Sequence, residues 1–185
     1  MTLASSINYL SPEGFPWVLA AWAGLYLLRP FATLFHELGH FWGAFLLTKK
    51  PVSLVVGKSS GKPLFQGSRI HFDFSFRQGV HGATIYSDEG LSLFPKILIL
   101  SGGPLFSFAM CCLAGWLILG FSQPTWLEIL EVSWFCANFL VFARNSLPMR
   151  LKASKEYPEG PPSDCLLYTS PSPRDQRGSR MPSSA

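Results

Sequence analysis

Three residues in the stretch 34–47 have the types and the spacing that a metal-dependent hydrolase needs. His36, Glu37 and His40 form the pattern His-Glu-x-x-His. Residues four apart lie on one face of an α-helix, so both imidazoles can reach one tetrahedral Zn²⁺. Zinc lowers the pKa of a water molecule, and a glutamate beside its open position can pass that proton to a leaving amine. The pattern therefore predicts a zinc site with His36 and His40 as ligands and Glu37 as general base.

The residues around this pattern are almost all apolar. The alternative interpretation is a pair of buried core histidines, which is the usual role of a lone histidine on an apolar helix. Three ionisable groups within five positions, 36 to 40, favour the metal site, because each is costly to place in hydrocarbon without a partner.

The composition indicates a membrane protein. Of the 185 residues, 48% are hydrophobic and 14% are charged, and several apolar runs approach the length that spans a bilayer. This disfavours a soluble metalloprotease. The net charge of +4 includes +2 from three arginines and one aspartate in residues 165–185. The remaining +2 indicates no nucleic-acid partner.

We expect a polar leader at 1–14 and then four membrane segments. Their approximate bounds are 15–28, 31–48, 92–121 and 126–144. No signal-peptide pattern precedes the first segment, so it is expected to remain as an anchor. One helix over the first two segments would be about 50 Å long, against about 30 Å for the hydrocarbon core. A break at Arg29-Pro30 is therefore favoured over one kinked helix, with the motif helix beginning near Phe31.

Residues 52–87 predict a small β-sheet between the motif helix and the next membrane segment. Polar and apolar residues alternate strictly within Ser68–Phe76, which is typical of a half-buried strand. Its predicted partners are Val52–Val56 and Val80–Tyr86. We expect the sheet to lie at the membrane surface with its Phe face inward and with Asp73 in solvent. Basic residues surround this region and follow the last helix, which favours a cytoplasmic location for both.

Other residues that could bind a metal have simpler interpretations. His71 and His81 could supply a third ligand, but both lie in the predicted sheet and fit solvated histidines better. The pair Asp88-Glu89 precedes a membrane segment, which favours an interfacial pair or a helix cap. The cysteines have no metal or disulfide spacing, and three of them lie within apolar runs: Cys111, Cys112 and Cys136.

In combination, these motifs resemble the site-2 protease family of intramembrane zinc metalloproteases. The matching residues are His36-Glu37-Leu38-Gly39-His40, Gly102-Gly103-Pro104, Asn145-Ser146-Leu147-Pro148 and Ser163-Asp164. The resemblance covers about residues 15–164 and is closest to the compact bacterial branch. His-Glu-x-x-His alone is shared with many soluble proteases, whereas this order of motifs in apolar surroundings is more specific.

The resemblance implies that Asp164 is the third zinc ligand beside His36 and His40. It also implies that Gly103, Pro104 and Asn145 shape the path of the substrate, which is a transmembrane segment of a partner protein. A multi-pass protein of the bacterial inner membrane is the implied location. We further expect the strand carrying Phe72 and Phe74 to hold an unwound substrate by edge pairing.

The chain departs from the family pattern directly after Asp164. Cys165 stands where the family has Gly, and no apolar helix follows. Cys165–Asp175 resembles a translated transposase adapter from sequencing-library preparation. Residues 165–185 are therefore expected to be non-native, with a natural disordered tail as the alternative. The core then lacks its C-terminal helix, so we expect weak zinc binding and poor cleavage from this chain.

The predicted fold class is an α-helical polytopic membrane protein with a small membrane-associated β-sheet. The predicted function is an intramembrane zinc endopeptidase. The alternative is a non-catalytic membrane scaffold of the same fold that binds partner helices. A metal transporter is less favoured, because transporters usually carry more intramembrane ionisable groups and internal repeats.

Overall fold

The computed structural model describes residues 11–57, 63–76 and 81–147. Its elements in chain order are α1 (Phe15–Leu47), β1 (Val52–Val56), β2 (Phe65–Gln66), β3 (Ile70–Phe74), β4 (Gly82–Tyr86), α2 (Leu93–Gly120) and α3 (Thr125–Ser146). Within the described ranges, these three helices are long and apolar enough to cross a membrane. The chain divides into a unit of residues 1–143 and a second unit of residues 144–185. Most of the predicted leader, Asp164 and the tail after it lie outside the described residues.

Helix α1 is continuous over 33 residues, so the predicted break at Arg29-Pro30 is wrong. Proline removes one helical hydrogen bond, but Pro30 is buried, and a membrane helix tolerates proline where protein covers the backbone. The Thr33 hydroxyl also donates to the Arg29 carbonyl oxygen at 3.1 Å. The extra length that favoured a break is used at the C-terminal end, where Phe41 and Ala44 pack against the sheet.

The sheet is mixed, with strand order β2-β3-β1-β4. Strand β1 pairs parallel with β3 and antiparallel with β4, and β2 pairs antiparallel with β3. Alternate residues of β1 are fully buried against α1 and α2, and they are Val52, Leu54 and Val56. Phe72 and Phe74 pack on the same core. The small sheet and its inward Phe face are therefore confirmed, while β2 is an additional strand that the sequence did not predict.

One prediction about β3 is wrong, and the strand order limits another. This strand has β1 on one side, and β2 pairs with His71 and Phe72 on the other side, so the open edge that was expected to bind substrate is not available at those two residues. Asp73 is only 6% exposed and is not the solvated residue that strand alternation predicts. Alternation assigns it correctly to the face opposite Phe72 and Phe74, but that face of the sheet is covered at this position.

Arg69 joins the sheet to the C-terminus of α1. Its guanidinium donates to the Thr48 carbonyl oxygen at 2.8 Å and lies 4.8 Å from the centre of the Phe45 ring. The last carbonyls of a helix lack intrahelical donors and carry a partial negative charge. Arg69 therefore supplies both a hydrogen bond and a favourable charge where the chain leaves the motif helix.

Replacing Arg69 with Ala is expected to lower the free energy of unfolding by about 1 kcal/mol, since the contact is partly exposed to solvent. Arg69→Lys keeps the charge but loses the planar guanidinium, and it should recover only part of that loss. Thermal unfolding of the detergent-solubilised variants measures the effect. Equal stability of the wild type and Arg69→Ala would show that this contact does not hold the sheet to α1.

Glycines allow α1 and α2 to approach with their backbones in contact. A Cβ atom added to Gly39 would overlap the backbone of Gly102, and one added to Gly102 would overlap that of Gly39. One turn further along α1, a Cβ on Gly43 would lie 3.0 Å from the Ile99 Cα. Small residues four apart are a common means of close helix packing in membranes. The α1 face that carries Gly39 and Gly43 is also the face of His40, so this packing brings His40 against α2.

Candidate metal centre

His36 and His40 lie in the contact between α1 and α2, with 2% and 6% of their surfaces exposed. The two Nε2 atoms face each other at 3.3 Å. The ring planes are nearly perpendicular, at 82°, with their centres 5.0 Å apart. The helical spacing of four therefore does what the sequence predicts and brings the two imidazoles together.

Helix α2 holds the other nitrogen of each ring. His40 Nδ1 lies 2.8 Å from the Ile99 carbonyl oxygen, and His36 Nδ1 lies 3.0 Å from Ser107 Oγ. A carbonyl oxygen can only accept, so His40 carries a hydrogen on Nδ1. A neutral His40 therefore presents an unprotonated Nε2 to the gap between the rings.

The spacing of the rings fits a zinc ion. With zinc–nitrogen distances of about 2.0–2.1 Å and a tetrahedral angle, two Nε2 ligands lie about 3.3–3.4 Å apart. Metal-binding histidines usually donate their second ring N–H to a carbonyl or a similar acceptor, and His40 does so. In the part of the chain that is described, no third Asp, Glu, Cys or His joins the pair. The predicted third ligand, Asp164, lies outside that part.

Glu37 lies beneath strand β4. Its side chain is buried, and Thr84 Oγ1 lies 2.9 Å from Glu37 Oε2 and 3.0 Å from the Glu37 backbone oxygen. The hydroxyl can donate its hydrogen to either oxygen. Gly82 makes this approach possible, since a Cβ there would lie 2.8 Å from Glu37 Oε1. The predicted base is thus held between the motif helix and one strand.

Strand β4 forms one edge of the sheet. The amide of Gly57 donates to the His81 carbonyl oxygen at 2.7 Å, and bonding alternates along an antiparallel pair. The backbone groups of residues 81, 83 and 85 therefore face β1, while those of Gly82 and Thr84 face outward. Among the described residues, no strand lies on that outer side. An open strand edge passes directly beside Glu37.

Of the three residues expected to shape the substrate path, Gly103 is at the site. A Cβ there would lie within 3.0 Å of three atoms of the His40 ring, and it would be equally far from Cδ2 and Cε1. Gly103 therefore packs on the face of that ring. Pro104 follows it inside α2, and Asn145 lies in the last turn of α3, within the second unit.

The pair Asp88-Glu89 lies in ion pairs and not in the metal centre. Asp88 is 2.9 Å from Lys96 Nζ, and Glu89 is 2.9 Å from Lys50 Nζ. The Glu89–Lys50 pair connects the segment before α2 to the turn after α1, and the Asp88–Lys96 pair connects it to the first turn of α2. The interfacial position that the sequence favours for these two acids stays a prediction.

Sequence reasoning missed Ser107, Thr84 and Gly82. Ser107 follows Gly103 by four positions, so helical periodicity places both on one face of α2. Thr84 and Gly82 share the inner face of β4 by alternation. Each was therefore a polar or small residue on a face expected to be buried, which is a usable signal. The Ile99 carbonyl leaves no signal in the sequence, because a residue of any type at this position has the same backbone oxygen.

No protein-family model, curated protein or solved structure matches this chain. Its function is therefore inferred from three geometric features: the facing imidazole pair, the buried carboxylate one residue from His36, and the open strand edge beside that carboxylate.

Proposed function

We propose that this protein is an intramembrane zinc endopeptidase of the site-2 protease type, which hydrolyses peptide bonds in or near a transmembrane segment of a partner protein. The observation that carries the proposal is the 3.3 Å separation of His36 Nε2 and His40 Nε2. This zinc-compatible pair lies on a helix long and apolar enough to cross a membrane.

The tryptophans of α1 support a site below the membrane surface. Trp22 and Trp42 are 68% and 47% exposed, and exposed tryptophans favour the two membrane interfaces. The 20 positions from 22 to 42 correspond to about 30 Å of helix, which matches the hydrocarbon thickness. On this scale His40 lies about 3 Å and His36 about 9 Å inside the level of Trp42.

Helix α2 independently indicates the same distance between the two membrane interfaces. Lys96, which pairs with Asp88, and the exposed Trp116 are also 20 positions apart. The metal centre therefore lies near the interface that carries the lysines, and basic residues favour the cytoplasmic side. We propose a multi-pass arrangement with the sheet at the cytoplasmic face. The resemblance of its motifs to the compact bacterial branch suggests the bacterial inner membrane.

The positions of the side chains support the proposed chemistry. Zinc, when bound, supplies a Lewis acid that activates water and polarises a peptide carbonyl. The Glu37 carboxylate, oriented by Thr84, accepts a proton from the attacking water and returns it to the leaving nitrogen. Asp164 remains the proposed third ligand. The buried surroundings strengthen these interactions, because the local dielectric is low.

The open edge of β4 supports the proposal that the substrate is a peptide. A transmembrane helix must unwind before it can be cleaved, and unwound backbone in hydrocarbon needs hydrogen-bond partners. The outward backbone groups of Gly82 and Thr84 offer them by strand addition. Because both residues touch Glu37, a peptide paired there would pass beside the proposed base. The edge-pairing hypothesis thus moves from β3 to β4.

Zinc binding by two double variants of the full chain tests the proposal. We expect the full chain in detergent to bind zinc, and His36→Ala with His40→Ala to abolish that binding. His71→Ala with His81→Ala is the matched control, since it removes the same number of imidazoles outside the pair, and it should bind as the wild type does. Chelator competition measures affinity. Unchanged binding without His36 and His40 would refute the proposed centre.

A further inference from the structure

Ser107 is the residue of α2 whose side chain meets the histidine pair. It is fully buried, and Oγ has no hydrogen-bond partner besides His36 Nδ1 among the described residues. A hydroxyl can donate or accept, whereas the Ile99 carbonyl that holds His40 can only accept. The hydrogen of His40 is therefore fixed on Nδ1, and the hydrogen of His36 can lie on either nitrogen.

Without a cation, one continuous chain of donors satisfies all these groups. Ser107 donates to His36 Nδ1, His36 Nε2–H donates to His40 Nε2, and His40 Nδ1–H donates to the Ile99 carbonyl oxygen. Both rings are neutral in this arrangement. Two unprotonated Nε2 atoms at 3.3 Å would instead repel each other, so the empty site favours the hydrogen of His36 on Nε2.

With zinc in place, both Nε2 atoms must offer a lone pair. The hydrogen of His36 is then absent from Nε2 and present on Nδ1, so the ring stays neutral and no net proton is gained or lost. Ser107 must now accept from His36 Nδ1. Its own hydrogen can turn to the carbonyl one turn earlier on α2, which is the usual acceptor for a serine within a helix.

We propose that Ser107 is a positioning residue that selects the tautomer of His36. It donates to Nδ1 in the empty site and accepts from Nδ1 when zinc is bound. The inference rests on the zinc centre of the proposed function but not on peptide cleavage.

A serine hydrogen-bonded to a histidine is also the arrangement of a nucleophile and its base. The burial of Ser107 argues against that role, because a substrate carbonyl cannot reach a side chain with no exposed surface. The two roles differ in one measurable property: a positioning residue changes zinc affinity, whereas a nucleophile changes the cleavage rate alone.

Zinc affinity of three serine variants of the full chain provides the first test. Ser107→Ala should weaken binding about 10–100-fold, which is the usual effect of removing such a partner from a metal-binding histidine. Ser107→Thr retains a hydroxyl and should bind nearly as the wild type does. Ser133→Ala is the matched control, since Ser133 is a buried helical serine that bonds backbone carbonyls of α1 and α3.

The tautomers can also be read directly in a chain that keeps Ser107, which removes any dependence on how the Ser107 variants fold. The chain has four histidines, and His71→Gln with His81→Gln leaves only the pair in the ¹⁵N spectrum. We expect the hydrogen of His36 on Nε2 without metal and on Nδ1 with zinc. The hydrogen of His40 should stay on Nδ1 in both states.

Each outcome bears on the inference. Equal zinc affinity of Ser107→Ala and the wild type would overturn it, and so would a His36 hydrogen on Nδ1 in the metal-free protein. Lost cleavage with unchanged zinc affinity would assign Ser107 as a nucleophile instead. If the affinity and tautomer changes occur but no membrane reporter is ever cleaved, the inference stands and the protease proposal fails.

Discussion

Glu37→Gln is expected to slow cleavage of a membrane substrate by about 10²–10⁴-fold, the usual contribution of a general base, and to leave zinc binding unchanged. Glutamine has nearly the same shape, and its amide oxygen can still accept the hydrogen bond from Thr84, which lies 2.9 Å from Glu37 Oε2. It cannot accept a proton from water at neutral pH. The variant therefore removes the proposed chemistry without removing the proposed ligands.

The measurement uses a tagged single-span reporter whose helix contains a central Asn-Gly pair, so that it unwinds readily. Since the activity of this chain is expected to be low, protein is kept in excess of reporter and one turnover is followed. Glu131→Gln is the matched control, because Glu131 is another glutamate of a long apolar helix. A non-catalytic scaffold predicts that Glu37→Gln and the wild type behave alike, and that result would end the enzyme hypothesis.

The ligand pair was predictable because its determinants are local. Positions 36, 37 and 40 fall within two turns of one helix, so helical periodicity alone brings the imidazoles together. Strand periodicity in the same way predicted β1, β3 and β4 and the inward direction of Phe72 and Phe74. Local patterns thus predicted the imidazole pair and most of the elements around it.

The supports of the site were not predictable, because they come from distant parts of the chain. Ser107 meets His36 across 71 positions, and Thr84 meets Glu37 across 47. Periodicity says which face of a strand or helix is buried but not which partner buries it. The strand order shows the same limit, because β1 lies between β3 and β4. Among the described residues, the sheet edge beside Glu37 is therefore formed by β4 and not by β3.

The error at Pro30 has a related cause. The proline and the excess length of α1 are both local arguments for a break, and both are correct as far as they go. Contacts elsewhere in the fold outweigh them: Pro30 is buried, and Phe41 and Ala44 use the additional turns to pack on the sheet. The helix is continuous because its tertiary contacts extend along most of its length.

Gly103→Ala is expected to weaken zinc binding by about 100-fold or more, at least as much as losing a hydrogen-bond partner of a metal-binding histidine. The new Cβ would lie 2.7 Å from both Cδ2 and Cε1 of His40, closer than any relaxed contact. The ring must then tilt away, which separates His40 Nδ1 from the Ile99 carbonyl oxygen and turns Nε2 away from His36. Overpacking of this kind also costs about 1–3 kcal/mol of stability.

Gly115→Ala on the same helix separates this steric effect from the general effect of alanine. There the new Cβ meets its nearest neighbour, a Phe135 ring carbon, at an ordinary 4.0 Å. Alanine in a helix interior is intrinsically better than glycine by about 0.5–1 kcal/mol, so this control should be as stable as the wild type or slightly more so. It should also bind zinc normally. If Gly103→Ala bound zinc as tightly as Gly115→Ala, the His40 ring would not need the packing against α2 that the proposed centre requires.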